Sequence, residues 1–590
     1  MKDLFKTLGK YRRIFNSSQK RKIIYLLFMM IIAGVLETFS VSMIVPLITV
    51  MMDEEFFSNN RFAVFISRLF HLENAHTFMI FMMCFMIGIY LVKGIFLILK
   101  EYAQTRFITN NRVDTQRRIM AVYLDYPYEF YLDKSTADVM KIIVNDVSSC
   151  FGLLTSIMTF FSEILISLSL FIAICFVDIY MAAFVTIVVL IQLILIFKFM
   201  RKRMFRYGMI SRQANAEGSK WVMQAVSGIK ETKVAKREVF FTRQYTKHAR
   251  QAAAALQGYN VLSAAPRVIL ESVTVSAILL LMVILLMNGQ SLSQLLPQFS
   301  AFALAAVRIL PSANKISNVM ADISYYSPAM DAVVETLTIV NNQEKSKVIQ
   351  NNIISERDKF SAIREVNLQN ISYKYPNTEK YILDNANMKI PIGKSVGIIG
   401  ESGAGKTTAV DIILGLLVPQ KGQIVCDGVD IMEDYGSWLS KISYIPQMIF
   451  MLDDTIAANI AYGIGEDKID EEKIWQALDE ASLKEYVSSL PDTIYTEIGE
   501  RGVRLSGGQR QRIGIARALY TDPEIIVLDE ATSALDNETE IEIMDSINAL
   551  HGKKTLIIIA HRLTTISDCD IVYRVADGKI EEVEERIHME

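Results

Sequence analysis

Hydrophobic and polar positions divide the chain into two parts of different character. In the first part, apolar runs occupy six stretches: 23–52, 77–99, 151–177, 179–197, 261–287 and 294–320. Each is long enough to cross a hydrocarbon layer of about 30 Å as a helix. Six buried helices of a soluble protein are a poor alternative for so many long runs. The pattern therefore predicts six transmembrane helices, of which the last is the least apolar.

Two longer segments, 100–150 and 198–260, are rich in Lys and Arg and have a helical composition with few Gly and Pro. We expect them to extend the membrane helices into the cytoplasm and to fold back there. A short crosswise element is predicted at each tip, near Tyr126–Leu132 and near Gln224–Thr232. Together with the basic residues of 1–22, these segments predict that both termini are cytoplasmic.

The second part of the chain is polar and alternates between two periodicities. Hydropathy falls after Pro328, and from about 362 to 580 short β-rich runs alternate with helical patterns. This alternation is typical of an α/β domain. The predicted organisation is a transmembrane domain with cytoplasmic helical extensions at 1–330, a linker at 331–361 and an α/β domain at 362–590.

Composition narrows the class of protein. Hydrophobic residues make up 51% of the chain and charged residues 21%, below the roughly 25% usual in soluble proteins. The net charge of −3 argues against a nucleic-acid-binding protein. The five cysteines are scattered without a CxxC pair, which excludes a disulfide scaffold and a thiolate zinc site. Composition therefore indicates a protein that lies partly in a membrane.

The first chemical motif follows the apolar run Ser395–Ile399 and precedes the helical run Thr408–Leu417. Strand, glycine loop and helix are the context of a phosphate-binding loop, because backbone N–H groups and the helix N-terminus surround the phosphates. Lys406 is expected to contact the β- and γ-phosphates, and Thr407 to bind Mg²⁺. The predicted nucleotide-binding residues here are Gly400, Glu401, Ser402, Gly403, Ala404, Gly405, Lys406, Thr407 and Thr408.

The second motif is an acidic pair after the apolar run Ile525–Leu528. A buried strand would deliver Asp529 and Glu530 at its carboxyl end, where ligands bind in open α/β sheets. Asp529 is expected to join the Mg²⁺ shell and Glu530 to polarise the attacking water. Taken alone, the pair would more often be a structural feature of a strand end than a catalytic one.

Between these motifs, Leu505-Ser-Gly-Gly-Gln509 resembles the signature loop of ATP-binding cassette (ABC) proteins. The other ABC motifs follow in the family's order: Tyr375 matches the adenine-stacking aromatic residue, Gln447 the glutamine loop, Ser533–Asp536 the D-loop and His561 the switch histidine. The resemblance implies ATP and Mg²⁺ as cofactors. It also implies catalytic roles for Glu530, His561 and Gln447, and metal ligation by Thr407, Gln447 and Asp529.

The same resemblance implies a homodimer. In ABC proteins the nucleotide lies between the phosphate loop of one domain and the signature loop of another, here Ser506, Gly507, Gly508 and Gln509. One membrane domain fused ahead of one ATPase domain is half a transporter. The architecture resembles the type IV fold of ABC exporters, with two competent ATP sites in the dimer.

Charged residues inside the apolar runs bear on the substrate, since intramembrane charges are costly and usually functional. They are Glu37, Lys93, Glu163, Arg267, Glu271, Arg308 and Lys315. The alternative for each is an ion pair that locks helices together. Arg267 follows Pro266, and Arg308 precedes Pro311, so both arginines are predicted where helices bend. A cationic cavity would suit an anionic headgroup such as a pyrophosphate.

A narrower resemblance covers nearly the whole chain. Glu37-Thr-Phe39, Pro266-Arg267 and Arg308–Asn314 are similar to the lipid-linked oligosaccharide flippases of bacterial protein N-glycosylation. This resemblance implies that Lys93, Arg267 and Arg308 engage a lipid pyrophosphate, although a lysine lacks the bidentate fork of arginine. The amphipathic stretch 56–70 would then lie at the outer membrane boundary and hold a polyprenyl tail, or else be a plain connector.

The leading hypothesis is an ATP-driven flippase for a lipid-linked oligosaccharide or related polyprenyl-pyrophosphate glycan in the cytoplasmic membrane. The alternative is an ABC exporter of other lipids, including lipid A, or of drugs or peptides. A regulatory ATPase coupled to a receptor is disfavoured by the intact Glu530 and His561. An importer is disfavoured because importers typically carry the ATPase on a separate chain.

Overall fold

The computed structural model describes residues 2–43, 70, 75–133, 135–175, 179–287, 292–351, 364–530, 537–560 and 566–583. The chain divides into two units. Unit 1 consists of Met1–Tyr126 and Lys134–Val348, and unit 2 of Pro127–Asp133 and Ile349–Glu590. Unit 2 therefore includes a short segment from the tip of the first predicted cytoplasmic extension.

Long helices dominate unit 1. In chain order the helices of the first part are α1 (Lys2–Ile14), α2 (Ser17–Ser42), α3 (Ala75–Leu124), α4 (Tyr128–Asp133), α5 (Thr136–Met140), α6 (Val147–Cys175), α7 (Ile179–Ser227), α8 (Ile229–Val234), α9 (Glu238–Met287) and α10 (Leu292–Asn351). A π-helical turn, Lys141–Asp146, connects α5 to α6.

Five helical stretches of the described residues are long and apolar enough to cross a membrane: Ser17–Ser40, His76–Leu124, Thr136–Ser169, Ala183–Ser227 and Glu238–Met287. They contain the apolar cores of the first five predicted runs. The sixth run lies on α10, where the side chains of 292–308 are outside the described part of the chain.

The helices α3, α7 and α9 are 50, 49 and 50 residues long. At about 1.5 Å per residue they far exceed the thickness of a bilayer, as the basic segments predicted. The short helices α4 and α8 lie where the tip elements were expected. The helix α10 continues to Asn351, so most of the predicted linker is helical, and residues 352–363 lie outside the description.

The elements of unit 2 alternate between strands and helices, as expected for an α/β domain. Its strands are β1 (Glu365–Tyr373), β2 (Leu383–Pro391), β3 (Ser395–Ile399), β4 (Lys421–Cys426), β5 (Val429–Asp430), β6 (Ile442–Ile445), β7 (Ile525–Asp529), β8 (Thr555–Ile559), β9 (Ile571–Ala576) and β10 (Lys579–Glu582). Its helices are α11 (Lys406–Ile413), α12 (Tyr435–Lys441), α13 (Ile456–Ile460), α14 (Glu471–Glu480), α15 (Lys484–Ser488), α16 (Gly507–Tyr520) and α17 (Asn537–Asn548).

The described strands form two sheets. A six-stranded sheet has the order β10-β9-β3-β8-β7-β6 and is parallel except for β10, while β2-β1-β4-β5 form an antiparallel sheet. Along β7, Ile526 and Leu528 pack into one hydrophobic core, and Ile525 and Val527 pack into the other. A parallel sheet covered on both faces requires such a continuous apolar strand.

Candidate functional site

The parallel sheet brings the predicted nucleotide motifs to one edge. β3 ends before the phosphate loop, β6 before Gln447, β7 at Asp529 and β8 before His561. Neighbouring parallel strands end on the same side, so segments far apart in sequence meet there. His561 itself lies outside the described residues.

Two glycines of the phosphate loop are required by its backbone. Gly405 has φ 107° and caps α11, and a Cβ there would lie 2.9 Å from the Cγ2 of Ile382. Gly400 has φ 154°, and a Cβ would lie 2.4 Å from the carbonyl oxygen of Val575. Side chains at these positions would be strained or would clash, which explains why glycine stands there.

The side chain of Lys406 folds back over this loop. Its Nζ donates to the carbonyl oxygens of Gly400 at 2.8 Å and Glu401 at 3.1 Å, and the residue is only 5% exposed. Within the described part of the chain, no carboxylate lies within 4.0 Å of Nζ. A buried cation held by carbonyl groups is suited to a phosphate, which would add negative charge close to the Lys406 ammonium.

Replacing Lys406 with alanine is expected to weaken ATP binding by roughly 10- to 100-fold, because charge-assisted hydrogen bonds of about 1.5–3 kcal/mol are lost. Titration with a fluorescent ATP analogue measures the effect. Lys421→Ala, at an exposed position on β4, is the matched control and should bind normally. Unchanged affinity in the Lys406 variant would show that this loop does not hold the phosphates.

Two residues predicted separately are in contact. The Nε2 of Gln447 donates to the Oε2 of Glu530 at 2.8 Å. Glu530 adopts φ 47°, in the left-handed region, and its N–H donates to the carbonyl oxygen of Ile559 on β8. Such a conformation is unfavourable for a non-glycine residue and is concentrated at functional sites. The backbone therefore directs the Glu530 carboxylate toward the glutamine loop.

Asp529 is buried, with 5% exposure, and accepts a hydrogen bond from the Tyr444 hydroxyl at 3.2 Å. Burial raises the pKa of Asp529, although the Tyr444 hydroxyl and the charge of Lys406 act in the opposite direction. The hydroxyl of Thr407, the amide oxygen of Gln447 and this carboxylate are the hard oxygen donors that Mg²⁺ prefers. A cluster of three His, Cys, Asp or Glu side chains is not found in the described chain, so a magnesium site would depend on this mixed set and on phosphate oxygens.

Asp411 was missed by the sequence analysis. It lies one turn after Thr407 on α11, and burial followed by the charge of Asp529 raises the pKa of Asp411 to about 6. The sequence indicates Asp411 only through its i, i+4 spacing from Thr407, which places both residues on one helix face. Only the packing of α11 against β7 revealed that this face is directed at Asp529.

The adenine and signature positions are held by side-chain hydrogen bonds. The Tyr375 hydroxyl is 3.1 Å from the Oγ1 of Thr408, next to the phosphate loop. Ser506 caps α16: its Oγ accepts from the N–H of Gln509 at 3.2 Å, and its N–H donates to Gln509 Oε1 at 2.8 Å. Ser506 is exposed, so the positive end of a 14-residue helix is presented at the surface of unit 2.

Four of the charged residues predicted in the membrane helices form two ion pairs between helices, as the structural alternative predicts. Lys93 Nζ lies 3.0 Å from Glu37 Oε2 and donates to Ser40 Oγ at 3.1 Å, joining α3 to α2. Lys315 Nζ lies 2.6 Å from Glu163 Oε1, joining α10 to α6. Lys93, predicted as a substrate ligand, thus has a carboxylate partner within the protein.

Arg267 differs from both lysines. It is exposed on α9, directly after Pro266, which lies inside the helix. Among the described side chains, no carboxylate lies within 4.0 Å of its guanidinium. Glu271, one turn further along, is also exposed. The Arg308 side chain, the stretch 56–69 and the D-loop Ser533–Asp536 lie outside the described residues.

Comparison with known proteins places two family matches along the chain. The family described as "ABC transporter transmembrane region" matches residues 23–308, and the family "ABC transporter" matches residues 383–533. A solved structure entitled "Structure of a bacterial Atm1-family ABC exporter with ATP bound" superposes with a TM-score of 0.75 at 22% identity, covering 96% of this chain and 95% of that one.

Several curated relatives carry the name "ATP-dependent lipid A-core flippase". The protein of Ralstonia nicotianae is 27% identical over 510 residues, 84% of this chain and 83% of the relative. The protein of Alkalilimnicola ehrlichii is 32% identical over 64% of this chain and 63% of its own length. The match to the Bordetella avium protein is 39% identical and spans 38% of each chain.

Proposed function

The chain belongs to the ABC exporters, as a half-transporter with a membrane domain followed by an ATPase domain, and we propose that it flips an anionic lipid-linked glycan across a bacterial inner membrane. Its fold is that of a type IV exporter. It is an ATPase coupled to transmembrane transport. The substrate proposed is a lipid-linked oligosaccharide or a related polyprenyl-pyrophosphate glycan.

The chemistry proposed for the ATP site follows from the contacts at the sheet edge. Lys406 and the loop N–H groups bind the phosphates, and Tyr375 stacks on the adenine. Thr407, Gln447 and Asp529 would hold Mg²⁺, which would neutralise charge on the phosphate oxygens. Glu530 accepts a proton from the attacking water, and the Gln447 amide orients the Glu530 carboxylate for this step. His561 is assigned a catalytic role by its motif.

The observation that carries the substrate class is Arg267. A guanidinium in a membrane helix is costly unless it is paired or hydrated, and in the described chain it has no carboxylate partner. A phosphate headgroup offers the bidentate geometry that arginine recognises best. Lys93, in contrast, already neutralises Glu37, so the proposed headgroup site depends on the arginines.

A transport assay with purified protein in liposomes tests the proposal. Three lipids are compared: a polyprenyl-pyrophosphate oligosaccharide, lipid A-core and a zwitterionic phospholipid. We expect ATP-dependent movement of the polyprenyl-pyrophosphate glycan, and stimulation of ATP hydrolysis by it. Equal transport of all three lipids, or transport of the zwitterionic lipid alone, would contradict the proposed substrate class.

The second candidate substrate is a lipid A-core glycolipid, which the names of the relatives favour. It is also an anionic glycolipid, so Arg267 serves either substrate. The same assay separates them, since only one of the two lipids should be moved at the higher rate. Transport of lipid A-core alone would replace the oligosaccharide proposal and leave the anionic class intact.

We also propose a homodimer with cytoplasmic termini. The capped helix at Ser506 has the chemistry of a γ-phosphate contact, and in this family that contact is made to the nucleotide of another domain. The basic residues of 1–22 and of the two helical extensions support the orientation.

Mixing two inactive variants tests the shared ATP site. Ser506→Arg places a bulky cation at the tip of α16 and should abolish hydrolysis in both sites of a homodimer. In co-expression with excess Lys406→Ala chains, each heterodimer regains one intact site, formed by the Ser506 loop of one chain and Lys406 of the other. Phosphate release should recover in proportion to the fraction of heterodimer in the mixture. A failure to recover at every ratio would contradict the shared site.

A further inference from the structure

A hydrogen bond in unit 2 connects α4 to the strand that precedes the adenine position. The Tyr373 hydroxyl donates to the Oε1 of Glu129 at 3.1 Å. Tyr373 ends β1, has no exposed surface, and is held on both sides by β2 and β4. Burial and, next, the negative charge of Glu129 raise the pKa of Tyr373, so its phenol stays protonated and acts as a donor.

From Tyr373 the contacts continue to the base site. The rings of Tyr373 and Tyr375 pack edge to face, with centroids 5.3 Å apart and an interplanar angle of 84°. Tyr375 in turn pairs its hydroxyl with Thr408 on α11. The edge-to-face contact with Tyr373 limits the orientation of the half-buried Tyr375 ring, because an aromatic pair of this kind has a preferred geometry.

Tyr128, next to Glu129 on α4, lies at the same corner. Burial raises the pKa of Tyr128, and the charges of Asp411 and Tyr375 contribute to the shift. Two successive residues of α4 are thus close to the elements that carry the phosphate loop and the adenine position. Tyr128 is exposed and Glu129 half-buried, and the hydrogen bond from Tyr373 to Glu129 is partly buried.

We propose that Glu129 and Tyr373 are positioning residues that hold the Tyr375 ring in the orientation that stacks on adenine, so that α4 sets the affinity for the base. The inference rests on the role proposed for Tyr375. It assigns to the tip of the first cytoplasmic extension an effect on recognition of the base, separate from any effect on the phosphates.

The test compares MgATP with magnesium tripolyphosphate, which has the phosphates but no base, in the full-length protein. Glu129→Ala and Tyr373→Phe should each raise the KM for ATP by roughly three- to tenfold with kcat retained. The affinity for tripolyphosphate, measured by competition, should stay unchanged. Glu129→Gln keeps an acceptor oxygen and should behave nearly as the wild type. The double variant should be no worse than either single variant, because both remove the same bond.

Tyr495→Phe is the matched control, since Tyr495 donates to Glu471 at 2.6 Å elsewhere in unit 2. It should leave both affinities unchanged. Equal weakening of ATP and tripolyphosphate, or additive effects in the double variant, would overturn the inference. Tyr375→Ala separates the stacking role proposed for Tyr375 from the positioning role of Glu129 and Tyr373. If this variant leaves the preference for ATP over tripolyphosphate unchanged, the stacking role of Tyr375 is wrong. If it abolishes that preference while Glu129→Ala does not alter it, only the positioning role fails.

Discussion

Replacement of Glu530 with glutamine is expected to reduce the rate of ATP hydrolysis by roughly two to four orders of magnitude, the range usual for loss of a general base. The amide fills the same space and its Oε1 can still accept the hydrogen bond from Gln447, so the local geometry is retained. It cannot, however, take a proton from water. ATP binding should remain at wild-type affinity.

Phosphate release and binding of a fluorescent ATP analogue measure the two properties separately. The matched control is Glu524→Gln, at the other end of β7, where Glu524 forms an ion pair with Lys441. That change should cost at most about 1 kcal/mol of stability and leave hydrolysis intact. Wild-type turnover in Glu530→Gln would exclude Glu530 as the group that accepts a proton from water. Its left-handed backbone conformation would then have no functional explanation.

Replacement of Arg267 with alanine is expected to abolish translocation while basal ATP hydrolysis continues. If the guanidinium binds a headgroup phosphate, hydrogen bonds of roughly 1.5–3 kcal/mol are lost from each subunit. At about 1.4 kcal/mol per decade, the dimer would lose roughly two to four decades of headgroup affinity. Arg267→Lys should be intermediate, because the charge remains and the fork does not.

The liposome assay and basal ATPase activity are measured on the same preparations, together with the midpoint of thermal unfolding. Arg203→Ala is the matched control: that guanidinium is exposed and lies over the Phe199 ring, and transport should be normal. A loss of expression and thermal stability in Arg267→Ala would indicate a structural role. A stable variant that still moves the glycan at the normal rate would exclude Arg267 from headgroup binding.

The ion pairs of the membrane helices show that a hydropathy pattern does not predict which charged residues pair with each other. Lys93 and Arg267 both appear as single cations in apolar runs, yet one is paired with Glu37 and the other is not paired with any described carboxylate. Pairing depends on how two helices are rotated and shifted against each other. Hydropathy along one helix carries no information on that rotation, because the partner residue belongs to another helix.

Asp411 and Glu129 illustrate the same limit in unit 2. Asp411 is within the helix that follows the phosphate loop, but its interaction with Asp529 arises only because α11 packs on β7. Glu129 is 244 positions from Tyr373, and nothing local to either residue indicates their hydrogen bond. Gln447 and Glu530 were each predicted from a motif, whereas their contact at 2.8 Å required the parallel pairing of β6 with β7.

Features that are encoded by neighbouring residues could be predicted from the sequence. Uninterrupted apolar runs predict helices long enough to span a bilayer. The phosphate loop is predicted from adjacent residues, among which glycines allow the positive φ angles that the loop requires. The lengths of α3, α7 and α9, well beyond the thickness of a bilayer, likewise follow from composition over consecutive residues. The three-dimensional packing was needed to show which charges are neutralised, which carboxylates lie near Asp529 and which residue of α4 contacts β1. These depend on contacts between segments distant in the chain, where a shift of one turn exchanges one partner for another.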